Sequence, residues 1–462
     1  MRKERDALGE AAIPDGALYG IETARAAENF ALGGDTVNPR LIHAMIQVKK
    51  AAALTFAELD GGDANENAAG EIPRRDKFRA IVAACDQALD GAAAGCFITH
   101  PLQGGAGTST HMNVNEVLAN LALRILGKRE GSYDIIHPLD DVNRLQSTND
   151  VYPTALRIAA IELLRECSGE CAKLQEALQK KENEYADIRK LGRTELMDAA
   201  PVTLGGEFGA FAQAVARDRW RLYKVEERLR QVNLGGSAVG DISPAGTDPS
   251  YVRRYRYAVI EKLRAITGMG LAAAEYPMDL TQNNDVVVEA SGLLKSLAVN
   301  LSKIAGDLRL MGSGPRGGLG ELRLAALQKG STIMAGKVNP VIPEMIIQIA
   351  IRVMANDSAI SMAASRGEFE LNAFSPLIAD SLLDSLELLA RGCFLFRTKC
   401  IETLTANPER CEELLAVSAA FAASYVPALG YETVSRVIAE HADDMNAARQ
   451  ALEAARAALP QN

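Results

Sequence analysis

The chain has 462 residues, of which 48% are hydrophobic and only 5% aromatic, and it carries a formal net charge of −9. That length is more than one simple core serves, so two or three domains are expected, built on Ala, Leu, Ile and Val as long helices are. The acidic balance, with a pI near 5.4, argues against a nucleic-acid surface, which needs clustered Lys and Arg.

The first ten residues, Met1 to Glu10, hold no apolar run of signal-peptide type, and no later stretch is apolar for long enough to span a bilayer. A cytoplasmic protein without membrane contact is expected. Apolar periodicity predicts helices over Leu41 to Leu59, Asp76 to Leu89 and Asn115 to Leu126, within an N-terminal helical region that ends near residue 140. From 141 to 390 the helical patterns lengthen. Leu294, Leu297, Leu301, Ile304, Leu308 and Met311 recur at steps of three and four, a heptad-like seam, while Val286 to Val288, Leu293 and Val299 add further apolar faces. Such a helix is expected to be buried all round in a bundle, as are Met345 to Ala364 and Ile378 to Leu389. Long apolar helices of this kind are easiest to satisfy if subunits associate in a closed assembly. The segment 391–462 is richer in charge, reads as a small third domain, and closes on a helical pattern over Asp444 to Leu459.

Seven cysteines at irregular spacings read as free thiols, with Cys167 and Cys171 one helical turn apart. The five histidines show no His-x-x-x-His pair and the cysteines no Cys-x-x-Cys, so no transition-metal site is expected. Gly312-Ser-Gly-Pro-Arg-Gly317 satisfies G-x-G-x-x-G, but it follows a helical pattern rather than a strand and has Pro inside the would-be phosphate loop. It reads instead as a hinge.

The stretch Gly330-Ser-Thr-Ile-Met-Ala-Gly-Lys-Val-Asn-Pro340 concentrates chemistry: Ser331 offers an oxygen nucleophile or base, Lys337 a cation and Asn339 a two-way hydrogen-bonding group. Those groups suit work on a carboxylate, although Gly, Ser, Asn and Pro are also ordinary turn formers. Ser147-Thr-Asn-Asp150 ahead of an apolar run reads as a helix N-cap with an acidic follow-up, and a helix N-terminus is itself an anion-binding device.

The Gly330 to Pro340 stretch resembles the G-S-S-x-M-P-x-K-x-N signature of the aspartase/fumarase superfamily, departing from it at Thr332 and Ala335. Three further blocks resemble that family in the same order: Gln103 to Glu116, Asp141 to Thr154 and Gly192 to Ala199. The likeness runs from about residue 8 to about residue 415 and is nearest to the aspartate ammonia-lyases. It implies an all-α, three-domain fold (1–140 N-terminal, 141–390 central long-helix bundle, 391–462 C-terminal) and a homotetramer with active sites shared among subunits. It implies no cofactor, and a small-molecule amino acid as substrate.

The same resemblance implies that Ser331 is the base that takes a proton from the carbon beside the amine-bearing one. Lys337 and Asn339 would grip a substrate carboxylate, with Thr194 beside them. Thr108, Ser147, Thr148 and Asn149 match positions that hold the other carboxylate and the leaving group, and Glu344 matches a supporting acid. Glu195 stands where His or Gln is common. As a carboxylate it accepts rather than donates, so it suits an ammonium, and it could lie near Glu344. His111 stands where Asn or Gln is more usual and reads as a supporting residue. The activity implied is elimination of ammonia from aspartate to give fumarate. The alternatives are carbon–nitrogen elimination on a modified amino acid, ergothionase-like with a trimethylammonium group, then class II fumarate hydratase, and last a helical scaffold without activity.

Overall fold

Helices make up most of the residues 1–60, 72–240 and 247–459 that the computed structural model describes. The chain starts with the hairpin β1 (Arg2–Asp6) and β2 (Gly9–Ile13), then runs through α1 (Ile21–Asn29), α2 (Pro39–Leu59), α3 (Arg74–Leu89) and α4 (Thr108–Ile125). Pro39 opens α2 because its missing N–H is not needed there, and Asn38 caps the helix by accepting from the Arg40 N–H at 2.9 Å. Gly20 has no side chain with which to cap α1. Glu116 replaces it from α4, accepting from the backbone N–H groups of Gly20, Glu22 and Thr23 and from the Thr23 hydroxyl at 2.6–3.2 Å. Burial nonetheless pushes its carboxyl up to about 7, against the pull of those donors.

Next come α5 (Thr148–Glu184), the hairpin β3 (Arg189–Thr194) and β4 (Met197–Thr203), α6 (Leu204–Leu229), β5 (Gln231–Val232), α7 (Pro249–Thr267), β6 (Ala272–Ala273) and α8 (Pro277–Gln282). The chain continues through α9 (Asp285–Met311), β7 (Leu322–Arg323), α10 (Val341–Ala364), α11 (Ser375–Phe396), β8 (Thr405–Ala406), α12 (Pro408–Ala416), α13 (Val426–Leu429), α14 (Tyr431–Glu440) and α15 (Met445–Ala457). Asp444 caps α15 by accepting from the Asn446 and Ala447 N–H groups.

Contacts divide the chain into two compact units. One gathers Met1–Glu166, Arg221–Lys295 and Arg352–Leu388; the other gathers Cys167–Trp220, Ser296–Ile351 and Leu389–Asn462. In the first, α2, α3, α4 and α7 pack on one another, with Phe56 stacked between Phe78 and Tyr255 at centroid distances of 5.2 and 4.7 Å. In the second, the α9 seam of Leu297, Leu301, Ile304, Leu308 and Met311 is buried. Within the single chain α9 is not buried all round: Val299 and Leu310 on its other face are 49% and 46% exposed, and Ile351 on α10 is 59% exposed.

The seven cysteines are thiols rather than disulfides. Cys167, Cys171 and Cys393 are buried, and the sulfurs of Cys171 and Cys393 lie 3.8 Å apart. Among the described residues no group of three or more His, Cys, Asp or Glu is placed to hold a metal ion, and no single helix is long and apolar enough to cross a membrane.

Candidate active site

In the first unit, the Gln103 to Thr108 turn enters α4 through three successive left-handed residues, Gly105, Ala106 and Gly107, with φ of 79°, 55° and 95°. Gly107 is required on two grounds, since a Cβ there would also lie 2.4 Å from the buried Tyr152 ring. Gln103 clamps the turn, accepting from the Thr110 N–H at 3.0 Å and donating to the Thr110 hydroxyl at 2.8 Å and the His100 carbonyl at 2.6 Å. Thr108 sits exposed at the start of α4, its hydroxyl donating to the Gly105 carbonyl at 2.7 Å.

The Ser147 to Asn149 segment is held from behind by buried polar groups. Asp150, fully buried, accepts from the Ser147 N–H at 2.9 Å and from the Gly235 and Ser237 N–H groups at 3.0 Å each, which ties the start of α5 to a second loop. Burial pushes its carboxyl up to about 6 in spite of these donors. Lys49, 1% exposed, donates to Asn143 at 2.8 Å and Gln146 at 3.1 Å in the turn before Ser147, and burial pushes its ammonium down to about 7. Pro153 inside α5 deprives the Asn149 carbonyl of its helical donor, and the Asn233 amide supplies one instead at 3.0 Å. The Asn149 amide in turn donates to the Ala238 carbonyl at 2.8 Å. His111, 1% exposed, meets the Thr148 hydroxyl through Nδ1 at 2.8 Å. Thr108, His111, Ser147, Thr148 and Asn149 are therefore all found in this unit.

Thr194, Glu195, Ser331, Lys337, Asn339 and Glu344 belong to the second unit. Thr194 pairs with Met197, which leaves Glu195 and Leu196 as a two-residue hairpin turn at φ of 54° and 64°, positions that usually take Asn and Gly. The base of this hairpin is fixed by ion pairs. Glu321, 0% exposed, lies 2.9 Å from both Lys190 and Arg193, and Lys190 also reaches Glu207 at 2.8 Å. Glu195 itself is exposed at the tip and lines a cavity of about 430 Å³ together with Arg193, Phe211, Lys303 and Asp307. Glu344 lies in the first turn of α10 and has Arg309 as its charged neighbour, at 3.6 Å.

The 324–340 loop between β7 and α10 has no regular structure but closes on itself. The Gly330 N–H donates to the Lys337 carbonyl at 2.9 Å, and the Asn339 amide donates to the Gly330 carbonyl at 2.8 Å. A Cβ on Gly330 would stand 2.7 Å from the Lys337 carbonyl oxygen. Inside this closure the Ser331 hydroxyl oxygen accepts from the Ile333 N–H at 3.2 Å and the Met334 N–H at 2.9 Å, and the Lys337 side chain is exposed. Two donors aimed at one hydroxyl oxygen favour its ionised form.

Sequence reasoning takes Asp150 only as an acid in the first turn of a helix and gives Lys49, Lys190, Arg193, Glu207 and Glu321 no role. Their partners lie tens to hundreds of residues away, so no local spacing carries the signal. The G-x-G-x-x-G match does follow a helix: Gly312 ends α9, its N–H donating to the Leu308 carbonyl at 3.0 Å.

Comparison with known proteins places the chain among lyases. A family model described as lyase matches residues 9–355. The chain is 42% identical to an aspartate ammonia-lyase of Helicobacter pylori strain J99 over 95% of its length and 91% of the relative's. It is also 42% identical to one of Pseudomonas aeruginosa over 99% and 92% of the two chains. Among solved structures, a fumarate lyase:delta crystallin from Brucella melitensis superposes with a TM-score of 0.87 at 42% identity, covering 97% of this chain and 99% of that one. A class II fumarase from Schistosoma mansoni superposes with a TM-score of 0.86 at 30% identity, over 96% and 93%.

Proposed function

The chain belongs to the lyase family and is a carbon–nitrogen lyase, and from that membership we propose that it eliminates ammonia from L-aspartate to give fumarate, with Ser331 as the base. The Ser331 turn is the observation that carries the mechanism. A serine hydroxyl is too weak a base unless its alkoxide is stabilised, and the N–H groups of Ile333 and Met334 converge on that oxygen. Ser331 takes the proton from the carbon beside the amine-bearing one. The electron pair passes into the adjacent carboxylate, giving a doubly negative aci-carboxylate. Collapse of that intermediate expels ammonia and leaves the double bond of fumarate.

Lys337 supplies a positive charge for the anionic intermediate, and Asn339 keeps the loop closed through Gly330. Thr108, Ser147, Thr148 and Asn149 bind the remaining polar groups of the substrate, the last three at the N-terminus of α5, whose dipole favours anions. Thr194 and Glu195 approach from a hairpin tip, and Glu344 supports through Arg309. The exposed apolar residues Val299, Leu310 and Ile351 support assembly into a homotetramer with active sites shared among subunits. The segments 1–140, 141–390 and 391–462 would be its N-terminal, central-bundle and C-terminal parts, and the cytoplasm its compartment.

Glu195 favours a second reading, in which the leaving group is a larger cation such as trimethylammonium. The test is fumarate formation, followed by ultraviolet absorbance, with L-aspartate and L-malate offered in parallel. Product from aspartate alone supports the proposal. Product from malate alone makes the enzyme a hydratase, and no product from either moves the assignment to a modified amino acid.

A further inference from the structure

His111 is buried in α4 and faces Thr148, the first residue of α5. Burial, and after it the Lys49 charge, hold the ring well below an ordinary imidazole, so it is neutral and carries one proton. Two tautomers are open to it. With the proton on Nε2, a donor would be buried with nothing to receive it, because Nε2 has no hydrogen-bond partner among the described residues. With the proton on Nδ1, the same atom is a bare acceptor, and buried acceptors go unpaired more readily than buried N–H donors. Nδ1–H then donates to the Thr148 oxygen.

Among the described residues Thr148 has no other side-chain bond, and at the first position of α5 it has no helical carbonyl one turn back to donate to. Its own proton is left to point outward at the helix N-terminus. We propose that His111 is a positioning residue whose Nδ1–H fixes the Thr148 hydroxyl as a donor toward a substrate carboxylate. The opposite tautomer would turn the Thr148 oxygen into an acceptor and suit the ammonium instead. This rests on the reading that Thr148 touches substrate.

The test uses succinate, a dicarboxylate without an amine, titrated calorimetrically into the parent, His111→Leu, His111→Asn and Thr148→Val enzymes and into the His111→Leu/Thr148→Val double variant. His111→Leu should weaken succinate binding about tenfold, the effect of losing an aligned hydrogen bond to an anion. His111→Asn, whose amide can donate in the same place, should stay within about threefold of the parent. In the Thr148→Val background the His111→Leu change should add less than about twofold, because the relay is already absent. An equal loss in both backgrounds overturns the proposal, as does unchanged binding in His111→Leu when Thr148→Val binds weakly. Thr148→Val binding succinate normally overturns the reading beneath it. Nitrogen-15 NMR of the His111 ring in the unaltered enzyme decides even if the variants fold poorly: a proton on Nδ1 supports the relay and a proton on Nε2 refutes it.

Discussion

Thr148 and Asn149 are backed by buried side chains, with Asp150, Lys49, His111 and Asn233 each bonded to a neighbouring turn. Ser331 and Glu195 stand instead on exposed turns: the Ser331 closure is made by backbone groups and one amide, and the Glu195 turn by strand pairing. Groups proposed to bind an anion must keep one geometry before the substrate arrives, and low-dielectric surroundings strengthen the hydrogen bonds that hold them. A group on an exposed loop can be altered without touching the core. Substitutions in the first region should therefore mix stability with activity, whereas those in the second should separate them.

Ser331→Ala gives the largest expected effect. Loss of the proposed base should lower kcat by about a thousandfold or more, while thermal unfolding shifts by less than about 1 °C, since only a partly exposed hydroxyl and two turn hydrogen bonds are lost. Stopped activity together with an unchanged melting curve would confirm the separation; appreciable turnover would remove Ser331 from its role. Gly330→Ala comes next. The added methyl would crowd the Lys337 carbonyl and Asn339 nitrogen, at 2.7 and 2.9 Å, and open the closure that carries Ser331. A fall in kcat of about a hundredfold is expected, because displacing a catalytic group by about 1 Å is that costly. Normal kcat in this variant would mean that the turn adapts and does not position Ser331.

Asp150→Asn probes the other region. An amide in place of the carboxylate leaves at least one of three buried N–H donors without an acceptor, and unfolding by urea should show a loss of about 2 kcal/mol at pH 7, where the carboxyl is mostly ionised. The pH dependence has a definite sign. A carboxyl raised to about 6 in the folded state binds its proton more tightly there than in the unfolded chain, so its contribution to stability is present below about pH 4 and is lost as pH rises through about 6. The deficit of the variant should accordingly shrink between pH 4 and pH 7. A deficit independent of pH would show that Asp150 is ionised throughout, held so by its three N–H donors.

How far the sequence is legible differs between the same two regions. The helices are legible because Leu, Ile, Val and Ala recur at helical spacing, although α2 starts at Pro39, just ahead of the Leu41 that periodicity marks. The Ser331 loop is legible because its groups are contiguous in the chain. The β1 strand is not: it turns Arg2 and Glu4 inward, bonded to each other at 2.7 Å, so its alternation is polar rather than apolar. Nor is the β3–β4 hairpin, whose strands carry Gly192 and Pro201 and whose base depends on Glu321, more than a hundred residues on. Nothing in the local sequence marks Lys49, whose partners Asn143 and Gln146 are brought to it only by the fold. Packing partners chosen across long separations leave no period to read.

Leu196→Gly has the smallest expected effect and bears most directly on the exposed region. Glu195 and Leu196 both hold a left-handed backbone, and for a side-chain-bearing residue that geometry costs about 1 kcal/mol or more. Leu196 is also 73% exposed, so little burial is lost with its side chain. Glycine there should stabilise the hairpin, raising unfolding free energy by about 1 kcal/mol, less the entropy that glycine returns to the unfolded chain. If the turn exists only to present Glu195, kcat should stay within about twofold. A clear loss of activity with gained stability would instead mean that the strained turn, or the Leu196 side chain itself, takes part in holding the substrate, which would place the hairpin tip alongside the Ser331 loop as a working element.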